Sequence, residues 1–181
     1  MGFLSTEQMD AVEANRSGGQ YLRTKQIEPG SAVKMRFLGD AITGVGGWRD
    51  GKPLRFAIKP SADEFDVDTL DVDMNGKPGM LRDFIACVVW NYKDEALQIF
   101  EISQVGIQDK LIALQKSDDW GDITTYDVSL KKTKKGDRID YEVTPSPNGK
   151  GKLDKSIENA FDSTYIDLKK LYSNEDPFKK D

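Results

Sequence analysis

The chain contains no histidine. That removes the side chain most often used as a general base near neutral pH and the commonest metal ligand. A single cysteine, Cys87, excludes an internal disulfide and, without histidine, any zinc-finger ligand set. Cys87 lies within FIACVVW, where a buried, inert thiol in a reducing compartment is expected. That is also the longest apolar run, far short of a membrane span. The N-terminus lacks the basic, apolar and small-residue succession of an export signal. MGFLST matches the myristoylation pattern through Gly2 and Thr6, a short motif that often arises by chance. Any enzymatic reading must therefore rest on carboxylates, and no residue pattern calls for a cofactor.

What is present suits a water-exposed domain. A chain of 181 residues with 38% hydrophobic and 31% charged residues is long enough for one sizeable core and short for two. The net charge of -5 argues at face value against a nucleic-acid partner. Binding depends on where charge sits, however, and here it is segregated. From Ala32 to Pro60, Lys34, Arg36, Arg49, Lys52, Arg55 and Lys59 face only Asp40 and Asp50. From Ser61 to Lys77 the balance reverses, with Asp63, Glu64, Asp66, Asp68, Asp71 and Asp73 against Lys77 alone.

Periodicity gives a β-dominated chain. Ser5 to Ala14 reads as a short helix with a Ser5/Gln8 capping pair, closed by RSGGQ. AVKMRFLG alternates Val33, Met35 and Phe37 with Lys34 and Arg36, and LRFAIK alternates Leu54, Phe56 and Ile58 with Arg55 and Lys59. FIACVVWNY and ALQIFEIS, separated by Lys93, Asp94 and Glu95, should pair as an antiparallel hairpin. Ile107, Leu111 and Leu114, with Ile112 beside them, mark one internal helix. TTYDVSLKK and RIDYEVTP alternate again around TKKGD, with Tyr126, Val128, Leu130, Ile139, Tyr141 and Val143 directed inward. Beyond PSPNGKGK, the apolar Ile157, Phe161, Ile166 and Leu168 permit a closing helix before the polar tail SNEDPFKKD.

Several strands, one helix and a final hairpin is the chain order of a five-stranded Greek-key barrel, the OB-fold, with the helix between the third and fourth strands. The predicted organisation is an N-terminal helical appendage over 1–31, the barrel over 32–148, a linker and helix over 149–172, and a flexible tail over 173–181. Everything from Ile42 to Met80 then forms an extended hairpin insertion between strands one and two, one of the two main ligand loops of such folds.

Within that insertion, GVGGWRDGKPLRF sets Trp48 at a glycine-rich turn with Arg49, Lys52 and Arg55 around it. A π-face for bases and cations for a phosphate track are what single-stranded nucleic acid binds; the alternative is that Trp48 folds back to cap the barrel. If Ile85, Cys87 and Val89 face inward, then Phe84, Trp90 and Tyr92 face outward and join Phe100 as a stacking platform. Both faces of that strand are apolar enough to be buried, so the parity stays open. KKTKK, beginning at Lys131, falls where the second ligand loop belongs, or forms a solvated basic turn. DVDMNG has the first positions of a calcium loop in register, but its twelfth position is Arg82, where a glutamate is required. A magnesium-dependent nuclease would have to use Asp66, Asp68, Asp71 and Asp73, which lie on one loop-like run rather than on separated rigid elements. In the tail, Glu175 and Asp176 beside Phe178 can dock on a basic, apolar-floored partner pocket, fold back on the protein, or fray.

The ordered set GGQYLR, AVKMRFLGDAITGVGGW, VVWNY, IFEIS, GIQDKLIALQKSDDWGDITTYDVSLKK and YEVTPSP resembles a family of bacteriophage single-stranded DNA-binding proteins with an OB-fold core. The resemblance runs from about Gly18 to Pro147 and is most distinctive in DDWGDITTYDVSLKK followed by YEVTPSP. It implies a non-enzymatic protein, without cofactor, that coats single strands during phage DNA replication and recombination in the cytoplasm of the infected bacterial host. It also likens NEDPF to the acidic, aromatic-tipped tails that recruit replication proteins, although the ending KKD dilutes the acidity. Trp120 of DDWGD takes a structural role in this reading. The expected DNA-binding residues are Lys34, Arg36, Trp48, Arg49, Lys52, Arg55, Lys59, Trp90, Tyr92, Phe100 and Lys131, and the expected partner-binding residues are Glu175, Asp176 and Phe178. A protein-interaction or virion-assembly module is the remaining alternative.

Overall fold

A computed structural model describes residues 19–147 and 150–181. The helix expected over Ser5 to Ala14 and the Gly2 motif lie outside the described residues.

The chain is mainly β. In order it forms β1 (Tyr21–Leu22), a 3-10 turn (Thr24–Gln26), β2 (Ala32–Arg49), β3 (Lys52–Phe56), a 3-10 turn (Val67–Thr69), β4 (Arg82–Asn91), β5 (Ala96–Ile102), α1 (Val105–Lys116), a 3-10 turn (Ile123–Thr125), β6 (Asp127–Lys135), β7 (Arg138–Ser146), α2 (Lys155–Ser163) and a last 3-10 segment (Leu168–Ser173). The strands join one mixed sheet of order β1-β5-β4-β2-β6-β7, with β3 paired to β2 off that path.

This sheet does not close into the expected five-stranded barrel. β1 pairs in parallel with β5 at Ile99 and Phe100, on the edge that a closing strand would need. Among the described residues β7 pairs only with β6, and Lys110 of α1 donates to the Tyr141 carbonyl of β7. The helix and β1 therefore stand where the closing ladder would run.

β2 organises the sheet. Its first part lies between β6, through Ala32 to Arg36, and β4, through Met35 to Leu38. The register then shifts between Leu38 and Ile42, a bulge that bends the strand. Gly39 sits in this bulge at φ 64°, and a Cβ there would come within 2.9 Å of the Phe161 ring, so the position suits glycine on two counts. Beyond the bend, β2 runs between β4 and β3.

The two sides of the sheet carry separate cores. The inner core gathers Val33, Met35 and Phe37 of β2, Cys87 and Val89 of β4, Phe100 and Ile102 of β5, Ile107 and Leu111 of α1, and Tyr126, Val128 and Leu130. Leu22 and Ile27 join it, so the described part of the N-terminal appendage expected over 1–31 packs on this core. An outer core gathers Leu38, Phe84, Ala86, Val88 and Ile99 beneath Ile157, Leu168 and Leu171 of the C-terminal segment. Both parities of FIACVVWNY are thus covered, and the question left open by its composition disappears. Burial raises the Cys87 thiol to about 12, which keeps it protonated and inert.

Four local expectations change. The glycine run before Trp48 is strand, and the turn is Asp50–Gly51, both at positive φ as a tight hairpin requires. β3 ends at Phe56, leaving Ile58 exposed, and Ile139 of β7 is exposed as well. β6 and β7 run up to a two-residue turn at Gly136–Asp137 instead of a TKKGD loop. The closing helix stops at Ser163, where the Ser163 and Thr164 hydroxyls donate to the Ala160 carbonyl in competition with the backbone.

Candidate nucleic-acid interface

The β2–β3 hairpin is held rigidly. Val45 to Arg49 pairs with Lys52 to Phe56, and the carboxylate of Asp71 accepts the amides of Asp50 at 2.8 Å and Gly51 at 2.9 Å. The Asp71 amide returns to the Trp48 carbonyl at 2.8 Å. Gly44 is required here: a Cβ would lie 2.2 Å from the Phe56 carbonyl oxygen. Trp48 does not fold back. Its side chain stands 59% exposed on this braced hairpin.

Trp48 lines an open groove of about 690 Å3 together with Leu54, Arg55, Met74, Met80, Arg82 and Phe84. Lys25, Lys77, Glu101, Asp71 and Asp73 also line it. The formal charges nearly cancel, but their partners differ. Asp71 is engaged by the hairpin amides, Asp73 accepts the amides of Asn75 at 2.8 Å and Lys77 at 2.9 Å, and Glu101 accepts from Arg55 Nε at 2.8 Å. Among the described residues, the side chains of Lys25, Lys77 and Arg82 have no hydrogen-bond or ion-pair partner. The acids are compensated internally and the cations face solvent, so the groove offers an apolar, aromatic floor with available positive charge. Sequence reasoning missed Lys25, Lys77 and Arg82, because each lies outside the basic segment and is brought to Trp48 only by tertiary folding.

Of the hairpin residues expected to bind, Lys52 and Lys59 are exposed. Arg49 is exposed with its guanidinium 5.6 Å from the Phe65 ring. Arg55 is more committed: besides Glu101 it donates to Asn174 Oδ1 at 3.1 Å, tying β3 to β5 and to the C-terminal segment.

The second expected group does not join the first. Arg36 is 2% exposed, and its Nε meets Asp127 Oδ1 at 2.7 Å while its other nitrogens reach the carbonyls of Thr124 and Lys152. Its guanidinium serves the interior and does not face a phosphate. Lys34, half exposed, pairs with the same carboxylate at 3.2 Å and lies 4.8 Å from the Tyr92 ring centre. The Tyr92 hydroxyl donates to Asp127 at 2.9 Å, and burial, then this bond, push its pKa up to about 12. Burial alone would raise Asp127, yet hydrogen bonds from Arg36, Tyr92 and Lys34 outweigh it and hold the carboxyl below its ordinary value.

Phe100 does not join the stacking platform that the sequence suggests. It faces Cys87 across the ladder, on the inner side, and is 1% exposed, so it forms no platform with Trp90. Trp90 and Tyr92 lie on the outer side, half covered and packed against the outer core. Lys131 is exposed at the far end of that side. Between these residues and Trp48 sit Leu38, Ala86 and Val88, capped by the C-terminal segment.

That segment is not the expected flexible tail. Pro177 is fully buried, Phe178 packs against the outer core, and Tyr172 donates to the Thr43 carbonyl at 2.7 Å. Glu175 accepts from Ser173 at 2.7 Å, and Asp176 accepts the Phe178 amide at 3.0 Å. Of the three residues expected to hold a partner, Phe178 is committed to the outer core, because the apolar side of β4 and β5 needs a cover, while Glu175 stays exposed and Asp176 half-buried, each with only a local bond.

Three of the four acids that a nuclease would use are occupied by backbone amides, and Asp68 is exposed without a side-chain partner among the described residues. Asp66 caps the Val67–Thr69 turn by accepting the Asp68 amide at 2.9 Å, while Asp71 and Asp73 are engaged as described. Among the described residues no three acidic or cysteine side chains converge as metal ligands, and no helix is long and apolar enough to cross a membrane. Trp120 packs 5.0 Å from the Tyr126 ring against the inner core.

No family model, curated protein or solved structure matches this chain.

Proposed function

We propose that this protein binds single-stranded DNA without catalysing a reaction, using the Trp48 groove to stack bases and the surrounding cations to hold phosphates. The observation that carries the reading is the exposed Trp48 on a braced hairpin, in a groove whose acids are internally paired and whose Lys25, Lys77 and Arg82 are not. A base stacked on an aromatic ring contributes about 1 to 3 kcal/mol, and it does so for every base, which gives weak sequence preference.

An OB-type architecture is part of the same proposal. Its support is the strand path β5-β4-β2-β6-β7, the bent first long strand, and a helix between β5 and β6. With the resemblance to phage single-stranded DNA-binding proteins, the reading extends to coating of exposed strands during phage replication and recombination in the infected host. Of the expected residues it keeps Trp48, Arg49, Lys52, Arg55 and Lys59, and it moves Lys34, Trp90 and Tyr92 to a secondary surface.

Titrating the protein with oligo-dT, while following tryptophan fluorescence at rising salt, tests this directly. Quenching by the single strand, little response to a duplex of equal length, and affinity falling with salt are expected. Absence of binding to oligo-dT at low salt, by fluorescence and by gel shift, would overturn the reading in favour of a protein-interaction module.

A further inference from the structure

Lys25 sits on the 3-10 turn that precedes the long strand, in a region the chain order places ahead of the barrel. The turn is fixed from two sides. Thr24 is buried, its carbonyl accepts from Lys132 Nζ at 3.4 Å, and its hydroxyl accepts from Gln104 Nε2 at 2.9 Å. The following backbone continues along β6, with the Gly30 amide donating to the Lys132 carbonyl at 2.7 Å and the Lys132 amide to Ser31 at 3.1 Å. Lys25 thus belongs to the wall of the Trp48 groove while its own turn is anchored to β6.

Strand alternation then separates the lysines of the second hairpin. Val128, Leu130 and Lys132 point to the inner side, where Lys132 reaches Thr24. Lys134 continues that parity and is exposed, opposite the exposed Ile139 of β7. Lys131 has the other parity. It is Lys134 rather than Lys131 that lies on the side of the hairpin facing the Lys25 turn.

The geometry points to a single continuous path for the nucleic acid, from Trp48 past Arg82 and Lys25 to Lys134, with the 3-10 turn bridging the two hairpins. Arg82, Lys25 and Lys134 contact successive phosphates, and Ile139 offers an apolar contact beside Lys134. The residues ahead of β2 thereby form part of the binding surface. This inference rests on the single-stranded DNA reading above, and its test separates the two.

Affinity for oligo-dT of about 4 nucleotides, which spans the Trp48 end, and of about 12, which spans the path, is measured for the full chain and for K25Q, K134Q and K131Q. Both lengths lie in the range that a single such domain covers. For K25Q and K134Q, the longer strand is expected to bind about fivefold more weakly at 0.1 M salt. The slope of log affinity on log salt should become shallower by about 0.7 for each lost contact. Binding of the short strand by K134Q and K131Q, and of the long strand by K131Q, should match the parent. Parent-like binding of the long strand by both K25Q and K134Q, or a loss in K131Q as large as theirs, would overturn the path while leaving the Trp48 site standing. Failure of the parent to bind either length would overturn the DNA reading and the path with it.

Discussion

The carboxylate of Asp71 accepts the Gly51 amide at 2.9 Å, so a residue from the acidic run closes the hairpin that carries Trp48. The relationship gives one acid beside the basic segment a structural role: its charge is directed at backbone donors in a turn. Asp71→Ala removes both acceptors. Hydrogen bonds to a charged group contribute roughly 1.5 to 3 kcal/mol each when buried, and less at this half-exposed site. Hydrogen exchange at Asp50 and Gly51 should accelerate, and oligo-dT affinity should fall about three- to tenfold as the hairpin loses its preset geometry. Unchanged exchange at both amides would show that the ladder with β3 alone holds the turn.

The C-terminal residues should behave as core. Phe178→Ala removes an aromatic packed on the outer cluster, and burial of such a side chain contributes roughly 1.5 to 3 kcal/mol. A chain ending at Ser173 also loses Pro177 and the Asn174 bonds to Arg55 and Pro53. Both variants should unfold at lower urea concentration than the parent in equilibrium denaturation. A truncated chain with the parent midpoint would restore the flexible-tail reading.

Much of this fold is legible in the sequence because β periodicity registers burial directly. Val33, Met35 and Phe37, or Tyr126, Val128 and Leu130, are buried as their alternation predicts. What escapes is long-range. Arg36 alternates like a solvent-facing residue, and only the arrival of Asp127 across the ladder, with carbonyls from two later loops, makes its burial possible. The side of Phe100 is not legible because β5 is apolar on both faces, and its register with Cys87 decides the matter. Within the candidate site Trp48 was identifiable from its setting of glycine and cations. Lys25, Lys77 and Arg82 were not, since each is unremarkable among its sequence neighbours.

Arg36 and Asp127 form a buried pair whose loss should be costly. Asp127→Asn leaves the guanidinium without its counter-charge, and breaking such a pair costs roughly 3 to 5 kcal/mol. The pH dependence follows from the direction of the shift. Because the folded carboxyl titrates below its unfolded value of about 3.9, the pair's contribution is present above that pH. It is lost as pH falls through the lower, folded value. Urea unfolding followed from pH 6 to pH 2.5 should therefore show a steeper acid loss in the parent than in D127N. Parallel curves would mean that Asp127 does not carry the acid sensitivity.

Trp48 is the residue on which the DNA reading turns, and the three tryptophans allow it to be isolated. Trp120 is packed against Tyr126 and Trp90 is half covered in the outer core, whereas Trp48 is mostly open to solvent. Trp48→Ala should leave the fold intact and lower its unfolding midpoint less than Trp90→Ala does, since more than half of Trp48 is exposed. It should abolish most of the quenching by oligo-dT and weaken binding by about five- to a hundredfold, the range that one lost stacking contact allows. Trp90→Ala should do the reverse, lowering stability through the outer core while leaving affinity within about twofold in molecules that remain folded. Gel-shift titration, which does not depend on either fluorophore, reads affinity for both. If Trp90→Ala lost affinity and Trp48→Ala kept it, the strand would lie on the side of the sheet that the C-terminal segment covers, and that segment would have to move for DNA to bind.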